Sequence, residues 1–144
     1  MGALSNIPSH AVLPLGAYDE ASLKRAAEHA DQTLLSVDLG NAKDRPAVFA
    51  AIAEAFALPA HFGHNLDALY DSVTDMKPRL DAEQPGFFVV LRNLPDTATF
   101  GRIERDALLD VFRDAADYFF DRDTAFRVFY SVCRKADAGK NGSD

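Results

Sequence analysis

Gln84-Pro85-Gly86-Phe87-Phe88-Val89-Val90-Leu91 decides how this chain folds. A Pro-Gly turn pair leads into five consecutive apolar residues, with no polar side chain to set on a wet face. A strand with one solvated face alternates apolar and polar residues. A run without alternation suits a strand covered on both faces, as in a parallel sheet between helices.

The flanking segments carry the pattern outward. Ala125–Val132 is rich in aromatic and β-branched residues and reads as a strand, and Leu34–Leu39 reads as another, ended by the turn pair Gly40-Asn41. Helical periods stand between them. Asp44-Arg45-Pro46 offers a capping acid and a proline suited to a first turn, followed by a stripe of Val48, Phe49, Ile52 and Phe56 that Leu58-Pro59 closes. Ile103, Ala107, Leu108, Val111, Phe112, Ala115 and Phe119 trace a long amphipathic helix. Strands alternating with helices predict an α/β fold with a three-stranded parallel sheet joined by right-handed crossovers. The pattern alone leaves the strand order open.

Glu20–Gln32 adds an N-terminal helix with Leu23, Ala26, Ala27 and Ala30 on one face. Ahead of it, Met1–Gly16 contains prolines and glycines and no charged side chain, which predicts a flexible or loosely docked arm over residues 1–17. The polar, glycine-containing segment 136–144 predicts a frayed tail, leaving 18–135 as a single domain.

Composition narrows the function. Lys plus Arg is 15 against 22 for Asp plus Glu, a net charge of −7. Nucleic-acid binding needs cations to displace phosphate counterions, so an acidic chain is better matched to a basic partner than to nucleic acid. The single cysteine, Cys133, excludes an internal disulfide and a multi-cysteine zinc site, and reads as a small core residue of the last strand. No apolar run has the roughly 18–20 residues that span a bilayer. No secretory signal is visible, and Asn6 stands where a myristoylation motif wants Ser or Thr. The expectation is a cytoplasmic protein, monomeric when free and without membrane association.

Leu58–Asp71, Leu-Pro-Ala-His-Phe-Gly-His-Asn-Leu-Asp-Ala-Leu-Tyr-Asp, carries the chemistry. Asn65 caps a helix in which Leu66, Leu69, Tyr70 and Val73 form the buried stripe, while Asp67, Asp71 and Asp75 share the opposite face. Like charges at i, i+4 cost a helix roughly 0.2–0.5 kcal/mol, so local stability does not ask for this arrangement. Taken alone, the acids also fit an ordinary solvated face. Asp106, Asp110, Asp114, Asp117 and Asp121 make a second acidic ridge on the long helix, read mostly as solvation. His61 and His64 have the spacing of a metal pair, but two ligands lack the third and fourth that a zinc site requires, so neither a metal nor another cofactor is expected.

This segment resembles the signature of the barstar family of ribonuclease inhibitors: Leu-Pro, two aromatics, Gly, any residue, Asn-Leu-Asp-Ala-Leu, an aromatic and Asp. Here it reads Leu58-Pro59, His61-Phe62, Gly63, Asn65-Leu66-Asp67-Ala68-Leu69 and Tyr70-Asp71. Val111-Phe112-Arg113-Asp114-Ala115 echoes the family's Val-Phe-Arg-Glu-Ala. The resemblance covers roughly 34–133 and implies the strand order 1-2-3. It also implies that Asp67 and Asp71 enter the basic active site of an extracellular-type ribonuclease in place of substrate phosphate, with Asp114 facing the same partner. The implied contact surface is His61, Asn65, Leu66, Asp67, Tyr70, Asp71, Asp75, Met76 and Asp114. His61 stands for an interface tyrosine of the family, Tyr70 and Met76 for tryptophans, and Asp75 for a glycine, so the partner differs in detail. Two other readings stay open. One is a regulatory module of the same fold whose partner is not a ribonuclease. The other is a hydrolase using an aspartate pair, against which stands the exposed helix face, since a general acid needs burial.

Overall fold

The computed structural model describes residues 8–16, 18–58, 65–79, 81 and 84–133. Its elements run β1 (His10–Pro14), α1 (Glu20–His29), β2 (Thr33–Asp38), α2 (Arg45–Phe56), α3 (Leu66–Thr74), β3 (Gly86–Leu94), α4 (Arg102–Phe120) and β4 (Ala125–Val132). The strands form one sheet in the order β1-β4-β3-β2, every neighbouring pair parallel.

The helices begin where side chains can satisfy their first amides. Asp19 accepts from the Ser22 N–H at 2.7 Å, Asp44 from Ala47 at 3.0 Å and Asn65 from Ala68 at 2.7 Å. At α4 the cap is Gly101, and Glu104 reaches back to accept its N–H at 2.9 Å. That hydrogen bond holds the Glu104 carboxyl below its ordinary value.

The unbroken run of β3 is covered on both faces. Phe87, Val89 and Leu91 join the main core with Val48, Phe49, Ile52, Leu69, Val73, Leu108, Phe112 and Phe126, beneath α2, α3 and α4. Phe88 and Val90 face the other way and pack with Phe129 against Leu23 and Ala27 of α1. Phe88 and Phe129 stack at 6.3 Å, and Tyr18 meets Phe129 edge-on at 5.4 Å. Gly86 opens β3 where no side chain fits, since a Cβ there would lie 2.7 Å from the Ala125 Cβ.

Among the described residues the sheet has four strands in the order β1-β4-β3-β2, and not three in the order 1-2-3; within it, β2, β3 and β4 keep the neighbour relations expected of the three strands read from sequence. The additional strand comes from the segment read as an arm. His10–Pro14 pairs with Phe126–Tyr130 at the sheet edge, where a proline without an N–H is tolerated because no further strand needs that donor. Its proline, Pro14, therefore fits an edge. The His10 ring also meets that of Phe120 at 4.1 Å, tilted by 34°, tying β1 to α4.

Smaller differences follow from packing. Helix α1 ends at His29, because Asp31 takes φ 58° and Gln32 turns inward to donate to the Gln84 carbonyl at 2.9 Å. Ile103, expected in the apolar stripe, is 79% exposed, since α4 begins a turn before the core reaches it. Cys133 lies one residue past β4 and is only half-buried. The expected tail and His61 and His64 lie outside the described residues.

Candidate functional site

Helix α3 does not rest on the sheet alone but packs against α4, which itself lies on β1 and β4. Leu69 and Val73 anchor α3 in the core, and Leu108, Val111, Phe112 and Ala115 anchor α4. Those anchors fix which residues face the seam between the two helices. Leu66, Asp67, Tyr70 and Asp71 line one wall of an open groove of about 760 Å³. Val111, Asp114, Asp117 and Tyr118 line the other, with Asp121 and Arg122 at the end of α4.

The groove gathers five carboxylates. The acidic ridge of α4 divides into two chemical parts. Asp106 and Asp110 are drawn toward Arg102 at 3.9 Å and Arg113 at 2.7 Å. Among the described residues, Asp114, Asp117 and Asp121 have no such cation, and neither do Asp67 and Asp71. Asp121 also caps α4 at its C-terminus, where the helix dipole is already negative, so local energetics disfavour a carboxylate there.

Among the described residues one positive side chain lines the groove. Arg122 donates from Nη1 to the Tyr118 carbonyl at 2.9 Å, and its guanidinium carbon lies 3.6 Å from the Tyr118 ring centroid. No carboxylate among the described residues comes within ion-pair distance of it. The result is an open, strongly negative surface with two tyrosines and a pinned guanidinium. It can receive cationic side chains or hydrogen-bond donors.

The residues expected from sequence separate. Leu66, Asp67, Tyr70, Asp71 and Asp114 come together in the groove. Asn65 is occupied in capping α3, and Asp75 ends that helix, its N–H bonded to the Asp71 carbonyl at 3.1 Å. Met76 packs on the main core and does not line the groove. Sequence reasoning read Asp117 and Asp121 as solvated surface and did not single out Tyr118 or Arg122. A signal existed: Asp114, Asp117, Tyr118 and Asp121 follow the i, i+3, i+4, i+7 spacing of one helix face.

A second polar cluster stands at the C-terminal ends of β2 and β3. Arg92 contacts Glu20 at 2.8 Å and Asp38 at 3.3 Å, and Asn93 donates to Asp38 at 3.0 Å. The N–H groups of Asn93 and Gly40, with Arg92 nearby, hold the Asp38 carboxyl below its ordinary value. Among the described residues the cluster pairs its charges internally, although Arg92 Nε makes no hydrogen bond, and presents no convergent unpaired charge. Among the described residues no group of three or more His, Cys, Asp or Glu side chains is arranged to hold a metal ion, and no helix is long and apolar enough to cross a membrane.

The model of one protein family, described as Barstar (barnase inhibitor), matches residues 32–131. That span takes in β2, α2, α3, β3, α4 and nearly all of β4, including both walls of the groove, and leaves β1 and α1 outside. A search of curated proteins returned no match.

Proposed function

The chain belongs to the barstar family, and on that premise we propose that it is a non-catalytic inhibitor of a basic, extracellular-type ribonuclease. The observation that carries this reading is the convergence of five carboxylates, from two helices, on one open groove with no paired cation among the described residues. A ribonuclease active site is shaped to hold phosphate and presents Arg, Lys or His to do so. Carboxylates held at fixed spacing can occupy those positions, through charge-assisted bonds that are often bidentate with Arg.

Asp67 and Asp71 stand at the family's inhibitory motif, and Asp114 faces them across the groove. Tyr70 and Tyr118 supply the aromatic surface that interface centres favour. The charge that suits a nuclease active site also repels nucleic acid, so the reading involves no direct contact with RNA. It places the protein in the cytoplasm of the producing cell as a free monomer, where it would neutralise nuclease before export.

The test is Asp71→Ala, measured for inhibition of barnase as a representative basic ribonuclease and for urea stability. Removing Asp71 would leave partner cations buried without a counter-charge, a loss of about 3–5 kcal/mol, more than a hundredfold in affinity. The urea midpoint should stay within about 0.5 kcal/mol of wild type, because Asp71 is exposed and its loss relieves repulsion from Asp67. Inhibition by wild type should also weaken as salt is raised. Undiminished inhibition by the variant would move the contact away from the groove. Tight inhibition of no ribonuclease would favour a module of this fold with another basic partner, which the replacements at Tyr70, Asp75 and Met76 make the second reading.

A further inference from the structure

Arg122 is unusual in what it does not do. It lies in a groove with five carboxylates, yet it is held to its own helix end, one N–H on the Tyr118 carbonyl and the guanidinium over the Tyr118 ring. Stacking and the backbone bond immobilise a side chain that would otherwise swing into the groove and pair with an acid. A guanidinium has five N–H donors in a rigid fork, and among the described residues one of them is bonded. Arg122 is itself exposed at the groove.

We propose that Arg122, positioned by Tyr118, determines which basic surfaces the groove accepts. It closes the Asp121 end to cations and confines the partner's positive charge to the part lined by Asp67, Asp71 and Asp114. This rests on the groove being the binding site proposed above. A featureless polycation must place charge along the whole groove and is repelled by the guanidinium. A folded partner avoids this penalty when its cations cluster at one end and a carboxylate or carbonyl oxygen stands opposite Arg122. The residue therefore selects a patterned active site over arginine-rich tails and polyamines, which an acidic groove would otherwise attract. Specificity of this kind comes from an unfavourable element placed against wrong partners.

Arg122 is exposed and lies beyond the last turn of α4, so replacing it leaves the fold intact. Binding of a hexa-arginine peptide at low salt is measured by calorimetry for wild type, Arg122→Gln, Arg122→Lys, Tyr118→Leu and Asp71→Ala. Removing one unit charge a few ångströms from the bound cations should tighten binding by Arg122→Gln roughly threefold to tenfold. Arg122→Lys keeps the charge but not the planar stack, so its ammonium is free to pair with groove carboxylates and peptide binding should fall below wild type. Tyr118→Leu frees the guanidinium to pair with groove carboxylates and should weaken peptide binding below wild type. Affinity unchanged in Arg122→Gln, with a clear loss in Asp71→Ala, overturns the role of Arg122 and leaves the groove reading standing. Affinity unchanged in both overturns the groove as the site, and this proposal with it.

Discussion

Leu23→Ala would decide whether α1 and β1 are part of the folding unit or an attachment to it. Leu23 is fully buried and, with Ala27, forms the α1 side of the second core, against Phe88, Val90 and Phe129. Those three residues belong to β3 and β4, the central strands that also carry the main core on their other face. Deleting three carbons from a fully buried leucine costs about 2–5 kcal/mol, and the upper part of that range applies where the surroundings cannot collapse. Here the opposing wall is two stacked phenylalanines on a sheet, which cannot move inward. A loss of about 3 kcal/mol is therefore expected, a large fraction of the 5–15 kcal/mol that holds an ordinary domain folded. Urea unfolding followed by far-UV circular dichroism, together with hydrogen exchange at the amides of Leu69 and Val89, provides the assay. If the two cores are one unit, the midpoint falls with the slope unchanged, and protection drops equally at both amides although neither touches Leu23. A shift below 1 kcal/mol would refute the reasoning. So would an early transition in which helix is lost while Leu69 stays protected, which would make α1 a detachable layer.

Two further outcomes follow from local geometry. Gly86→Ala should cost about 1–3 kcal/mol in urea unfolding, because its Cβ would stand 2.7 Å from the Ala125 Cβ and 2.8 Å from the Ala125 carbonyl oxygen; a variant within 0.5 kcal/mol of wild type would show that the strands can part there freely. Asp38→Asn should be less stable than wild type at neutral pH by an amount that shrinks in acid. The folded carboxyl titrates below its ordinary value, so its contribution is complete above the range of a free carboxyl and is lost as pH falls through the lower folded value; a difference in urea midpoint that is the same at pH 7 and pH 2.5 would refute the linkage.

The elements that could be read from sequence are those whose burial is expressed in their own residues. Phe87–Leu91 has no polar position to expose, and the structure covers it on both sides. Val48, Phe49, Ile52 and Phe56 are all buried, and the caps Asp44 and Asn65 lie where their side chains predict. β1 escaped because five residues ending in proline carry too little pattern to distinguish an edge strand from an arm; its identity lies in the pairing with β4, more than a hundred positions away. Ile103 misled for the opposite reason. It keeps the helical period of its neighbours, and only the point at which α4 leaves the core decides that it faces water. At the groove, α3 was legible because its motif is contiguous. Half of the other wall was not, since Asp117 and Asp121 are indistinguishable in sequence from Asp106 and Asp110, which the structure sets beside arginines.

That division of the acidic ridge has an energetic meaning. The fold is secured elsewhere, by two apolar layers on the central strands, so α3 and α4 can bear like charges at i, i+3 and i+4 spacing at a cost of a few tenths of a kcal/mol per pair. Each pair is affordable singly, yet together they act against the free protein. Asp67 against Asp71, and Asp114, Asp117 and Asp121 in succession, oppose one another along each helix. A partner that supplies cations removes this repulsion as it forms its own bonds, so part of the binding energy is already present in the unliganded groove. Such a surface gains little from isolated changes to apolar side chains at its rim and depends on how many carboxylates remain unpaired. The arginines of α4 therefore matter by where they are not: Arg102 and Arg113 reach Asp106 and Asp110, and the acids that line the groove are left for something from outside.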